Sequence, residues 1–121
     1  MLINHTNHKS ACWSDRQLEA ASVFGGAVAD VPFPDVDPEA TPEEIGNLVL
    51  VNVQHICEQH PDAVLCQGEF TYTYRMVAEL KARGIKVLAA CSKRVTVETI
   101  NEDQSTRRES RFEFVQFREY R

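Results

Sequence analysis

Four short apolar runs, separated by amphipathic stretches, set the pattern of this chain. Met1 to Asn4 opens it with Leu2 and Ile3, and Ala27 to Val31 is the second run. Ala63-Val64-Leu65-Cys66 is the third, and Ile85 to Ala90 the fourth. Consecutive apolar residues bounded by turn residues predict strands buried on both faces. Between the first two runs, Ser14 is a good N-cap and Gln17 completes a capping box. Trp13 and Leu18 are spaced for a hydrophobic staple. These signals predict a helix from about Asp15 to Phe24, ended by Gly25-Gly26. The stretch Pro32-Phe33-Pro34-Asp35-Val36-Asp37-Pro38 then forbids regular structure.

Thr41-Pro42-Glu43-Glu44 supplies a cap, a proline in the first turn and a glutamate at the third position. A second helix therefore runs to about His60, where Pro61 forces an exit. Its middle, Leu48 to Val53, has strand propensity. The helix is preferred for its start signal and because Ile45, Val49, Asn52 and Ile56 fall on one face. Apolar residues all round it point to burial on two sides, such as at a subunit contact. A third helix opens at Glu69 to Thr71, runs to Arg83 and ends at Gly84. Val95 to Ile100 alternates as a half-exposed strand, Asn101 to Arg108 is a polar turn, and Arg111 to Tyr120 is a further strand. The alternation shifts between Phe114 and Val115, which predicts a bulge or a strand covered on both faces. The order β-α-β-α-β-α-β predicts one α/β domain over residues 1–121: a parallel sheet with helices on both faces and a C-terminal antiparallel β-hairpin.

Composition narrows the partners. The chain has 121 residues, 43% of them hydrophobic, enough for a core without disulfides or metal. Lys and Arg number 13 against 18 Asp and Glu, a net charge of −5, which argues against duplex nucleic acid as a partner. Cys12, Cys57, Cys66 and Cys91 form no C-x-x-C pair. No leader pattern and no apolar run of bilayer length is present, so a cytoplasmic protein with reduced thiols and no membrane partner is expected.

In a parallel sheet, the loops that follow the strands share one edge, where open α/β folds bind ligands. The first loop brings His5, Thr6, Asn7 and His8. The third brings Gln67, Gly68, Glu69 and Thr71, with the free N–H groups of a helix start suited to an anion. The fourth brings Ser92, Lys93 and Arg94. Hydroxyls, N–H donors and two cations suit a phosphate or nucleotide. Each group also has a plainer role. His5 and His8 are candidate acid/base groups or residues of a polar loop. Together with Cys12 they lack a fourth metal ligand, so neither metal nor cofactor is expected. His55, Cys57 and His60 do not share a helix face. Cys91 beside Lys93 and Arg94 is an activated nucleophile or a buried thiol. Tyr72 and Tyr74 stack on a base or pack in the protein. Glu69 is a helix-dipole partner, a hydroxyl ligand or a base. No G-x-G-x-x-G, G-x-x-x-x-G-K-[ST] or G-x-S-x-G is present.

Leu2-Ile3-Asn4-His5-Thr6-Asn7-His8 followed by Trp13-Ser14-Asp15-Arg16-Gln17-Leu18 resembles the start of small single-domain proteins found beside type III CRISPR systems. Those typically begin with a strand, an Asn/Ser/His-Thr-His-type loop and a helix opening near W-[ST]-x-x-Q. Gly68 after the third strand and Ser92-Lys93-Arg94 after the fourth are similar to the Rossmann-like CARF domains, over residues 1–100. The resemblance implies a Rossmann-like fold and a homodimer whose strand-end loops bind a cyclic oligoadenylate second messenger. Some relatives cleave that ring without metal, by attack of a ribose 2′-hydroxyl on the adjacent phosphate. By position, Asn4 to His8 would line the pocket, Ser92, Lys93 and Arg94 would hold phosphate, and His5 or His8 would be the acid or base. The chain departs from that pattern after the fourth strand, where a hairpin replaces a helix with a second basic cluster. A non-catalytic nucleotide sensor or sponge, a nucleoside or sugar-phosphate enzyme using Glu69 or Cys91, and an interaction module without a pocket are the other readings.

Overall fold

A computed structural model describes residues 1–121. Its elements are β1 (Leu2–His5), a 3-10 turn (Ser10–Cys12), α1 (Asp15–Ala21), β2 (Val28–Asp30), α2 (Pro42–Glu58), β3 (Ala63–Cys66), α3 (Phe70–Ala82), β4 (Val87–Ile100) and β5 (Thr106–Glu119). They form a mixed α/β fold around one five-stranded sheet of order β2-β1-β3-β4-β5. The first four strands are parallel, and β5 is antiparallel to β4. The order departs from the 3-2-1-4 arrangement of a Rossmann half. It follows the other common doubly wound order, whose winding direction reverses between β1 and β3.

Strand parity sorts the side chains into two cores. Ile3, Val64, Cys66 and Val87 point to one face and pack under α2 and α3, against Ile45, Val49, Val53, Ile56, Met76 and Leu80. Leu2, Ala63, Leu65 and Leu88 point to the other face and meet Trp13 and Ala21 of the α1 segment. The capping box of α2 is formed as its sequence predicts. Thr41 Oγ1 accepts the Glu44 N–H, and the Glu44 carboxylate accepts the Thr41 N–H. Thr41→Ala removes an orphan donor's partner and lowers stability by about 1 kcal/mol, read as a shift of a few degrees in the thermal midpoint. The strand propensity of Leu48 to Val53 yields to this start signal and to the burial of Val49 and Val53.

The fourth apolar run differs from expectation. Instead of a strand over Ile85 to Ala90, a loop and a separate strand, β4 runs unbroken from Val87 to Ile100. Cys91, Ser92, Lys93 and Arg94 lie inside it, and β5 pairs along its whole length from Leu88↔Glu119 to Ile100↔Thr106. The cause is the antiparallel ladder, which satisfies the β4 backbone beyond the body of the sheet and needs no loop there. The expected bulge is present. Cys91 pairs with Gln116 and Ser92 with Phe114, leaving Val115 as the extra residue. Beyond it the two strands form an exposed ribbon closed by Asn101–Ser105. No helix is long and apolar enough to cross a membrane.

Candidate functional site

An open groove of about 920 Å³ lies at the carboxyl edge of the sheet, on the face that carries α1. Its size is that of a small-molecule site. Thr6, Asn7 and His8 come from the loop after β1, and Cys12, Trp13, Ser14, Arg16 and Gln17 from the 3-10 turn and the start of α1. Leu65, Gln67 and Gly68 come from the end of β3, Ala90 and Ser92 from β4, and Arg111, Phe112, Glu113 and Phe114 from β5. The groove thus straddles β1 and β3, where the winding reverses and the flanking loops diverge.

The loop after β1 is held by its own polar groups. Asn4 Nδ2 donates to the His8 carbonyl at 2.9 Å and to Asp30 Oδ1 at 2.7 Å. Thr6 Oγ1 donates to Asn4 Oδ1 at 2.8 Å, and Trp13 Nε1 donates to the same His8 carbonyl at 3.2 Å. Asp30 also receives the Ser10 hydroxyl at 2.8 Å. Desolvation pulls the Asp30 carboxyl upward, but the hydrogen bonds from Asn4 and Ser10, with Lys9 nearby, outweigh it and hold it below the usual range. Asn4 is therefore a strut behind the loop and not part of the groove lining. The His8 imidazole makes no hydrogen bond within the chain. Gln67 ties β3 to β4 past the end of their ladder, accepting the Ala90 N–H at 2.6 Å.

Several candidates lie elsewhere, for clear geometric reasons. Parity turns His5 to the face opposite the groove, fully buried. Its Nδ1–H donates to the Val31 carbonyl at 2.9 Å, which leaves Nε2 to accept the Tyr72 hydroxyl at 2.6 Å. The Phe33 and Tyr72 rings lie 5.3 and 5.7 Å away. Burial lowers the His5 pKa, only partly opposed by the Val31 bond. His5 thus pins the proline-rich segment to α3 and does not reach the groove. Glu69 is the N-cap of α3, accepting the Thr71 and Tyr72 N–H groups at 2.9 Å each and the Thr71 hydroxyl at 2.7 Å. These bonds, the Thr71 hydroxyl first, hold its carboxyl below the usual range. Thr71 and the helix start are consumed by this cap, so the anion site expected there is occupied by the protein's own carboxylate. Lys93 and Arg94 stand on the exposed ribbon opposite Glu113 and Phe112. Cys91 falls on the sheet face opposite the groove, and Tyr72 is buried while Tyr74 is exposed away from it. His5, His8 and Cys12 do not gather, and no cluster of three His, Cys, Asp or Glu side chains is placed to hold a metal ion.

Of the expected residues, Thr6, Asn7, His8, Gln67, Gly68 and Ser92 converge. The groove's cations are instead Arg16, which forms no ion pair, and Arg111, paired with Glu113 at 3.0 Å. Arg16 had a sequence signal, because the helix start at Ser14 follows β1 and belongs to the same edge. Arg111 and Phe112 had none without the hairpin register.

The family described as "Uncharacterized protein MJ1673 family" matches residues 1–118. No curated protein and no solved structure matches the chain. The match covers all the residues that line the groove, and the chain belongs to the MJ1673 family.

Proposed function

We propose that this chain binds a nucleotide of the cyclic oligoadenylate class in the groove at the β1/β3 edge, in the manner of the type III CRISPR-associated proteins it resembles. The observation that carries the reading is the convergence of His8, Gln67–Gly68 and Ser92 with Arg16 and Trp13 at the reversal point of a doubly wound sheet. Arg16 offers a bidentate contact to phosphate, while Asn7 and Gln17 offer amides for base edges. The groove is open enough for a ligand larger than a mononucleotide, and a homodimer would set two grooves against a ring of two-fold symmetry.

His8 is the groove's one imidazole, a group whose two ring nitrogens can donate and accept a proton. Cleavage of a phosphodiester by the neighbouring 2′-hydroxyl would therefore fall to His8 as acid or base, with Arg16 facing the developing charge. Lys93 and Arg94, on the ribbon, are outer contacts for a longer ligand.

Trp13 is the only tryptophan, so intrinsic fluorescence reports on the groove directly. Titration with cyclic tetra- and hexa-adenylate, against AMP and inorganic phosphate, is expected to show saturable binding of the cyclic ligands. Arg16→Ala weakens it at least tenfold, about 1.4 kcal/mol. His8→Ala leaves binding and removes any EDTA-resistant cleavage seen by chromatography. Absence of binding by both rings overturns the reading.

A further inference from the structure

β5 is the outer strand of the sheet, so one of its edges carries no neighbour. The backbone N–H and C=O groups along such an edge are a template for another strand. Charged residues usually guard an exposed edge, and β5 is rich in them. Their order, however, does not repel a second copy of the same strand.

The regular part of β5 runs from Thr106, its first residue, to Phe114, the last before the bulge at Val115. A bulge bends the strand and ends regular pairing. Ser110 is the midpoint of that segment. Alternation puts Arg107, Glu109, Arg111 and Glu113 on one face, with signs alternating along it. When two copies are laid antiparallel about a two-fold axis through Ser110, Arg107 stands opposite the partner's Glu113 and Glu109 opposite the partner's Arg111. Each contact is repeated by symmetry. On the other face, Arg108 stands opposite the partner's Phe112, whose ring is 75% exposed in the single chain. Moving the axis to Glu109 sets Arg107 against the partner's Arg111. Moving it to Arg111 sets Glu109 against the partner's Glu113. Directly opposed like charges destabilise a strand pair and disfavour both of these registers. An axis on Phe112 keeps only the Arg111–Glu113 contact before the bulge at Val115 ends the pairing, so the register centred on Ser110 makes the most complementary contacts.

In the single chain the ion pairs of the alternating face run along the strand, while Arg108 on the other face pairs across to Glu98 of β4 at 2.8 Å. Arg107 pairs with Glu109 at 2.7 Å and Arg111 with Glu113 at 3.0 Å, all of them well exposed. Exposed pairs of this kind add little to the fold, so exchanging partners across an interface costs the monomer little.

We propose that two copies of this chain associate through antiparallel pairing of β5 with β5 over Thr106–Phe114, centred on Ser110, joining the two sheets into one. This locates the homodimer of the proposed function on a particular edge. It rests on the β5 edge and its charges, with no ligand involved, so its failure leaves the nucleotide reading standing and the reverse also holds.

The test is a charge exchange followed by sedimentation equilibrium. Wild-type chain is expected to dimerise at micromolar concentration without added ligand. Arg107→Glu/Arg111→Glu makes the face uniformly acidic, and Glu109→Arg/Glu113→Arg makes it uniformly basic. Each double variant alone is expected to dimerise at least tenfold more weakly than wild type, and an equimolar mixture is expected to restore the dimer as a hetero-pair. Recovery in the mixture also shows that both variants are folded. A monomeric wild type, or double variants that self-associate as tightly as wild type, overturns the proposal. So does a mixture that fails to recover while both variants keep the wild-type thermal midpoint.

Discussion

Tyr72→Ala is expected to lower the unfolding free energy by about 3–5 kcal/mol, as for other large aromatic deletions in a core. For a domain of ordinary stability that is a large fraction of the total. Tyr72 is fully buried at the start of α3, and its ring meets Phe33 edge-on at 5.1 Å and His5 at 5.7 Å. Its hydroxyl donates to His5 Nε2, which has no other partner. Tyr72→Phe keeps the packing but strands that nitrogen, and is expected to cost about 1–3 kcal/mol. Urea denaturation of the two variants separates the ring from the hydroxyl.

The same cluster makes stability depend on pH. Burial holds the His5 pKa below its ordinary 6.5, while an unfolded chain protonates there. The unfolded state therefore binds more protons below that point, and stability rises with pH. The His5 contribution is complete above about pH 6.5 and is lost as the pH falls toward its lowered folded pKa. The slope reaches up to about 1.4 kcal/mol per pH unit for one proton. The lowered carboxyls of Asp30, Glu69 and Asp103 contribute with the same sign, but only near and below their ordinary values of 3.8 to 4.5. Thermal midpoints between pH 7.5 and 5 are expected to fall in wild type and to flatten in His5→Gln.

Gly68→Ala is the second large effect. A Cβ at this position would overlap the Phe33 ring, which lies directly over the turn between β3 and α3. Phe33 sits between Pro32 and Pro34, so the backbone that carries it has little freedom to retreat. Overpacking of this kind costs about 1–3 kcal/mol. Phe33→Ala in the same chain is expected to relieve it, giving a double-mutant coupling of about 0.5–3 kcal/mol, whereas additive losses would show that the two positions do not meet. Gly68 also lines the groove, so the single variant is expected to weaken ligand binding along with stability.

The layered architecture was legible because each decision was local. Leu2-Ile3, Ala63 to Cys66 and Val87-Leu88 are apolar at consecutive positions, which only a strand covered on both faces tolerates. The Ser14 and Thr41 caps start α1 and α2 where their spacing places them. The edge that gathers Thr6 to His8, Gln67, Gly68 and Ser92 followed from parallel pairing alone. What failed depended on pairing between distant segments. Nothing near Lys93 or Arg94 reveals that β5 returns along them and keeps them in a ribbon. Nothing near Glu69 distinguishes a free carboxylate from one that caps its own helix.

The sequence by itself determined the alternating strands and helices, the helix starts, the bulge near Val115 and the edge that carries the loops, because these follow from side-chain period and backbone chemistry. Only the tertiary structure decided the strand order, the β4–β5 register and the side of the sheet each loop residue serves. His5 shows the reason most clearly. It adjoins Thr6 in the chain, but the pleat sends it to the opposite face, where Val31, Phe33 and Tyr72 arrive from segments that only folding brings together.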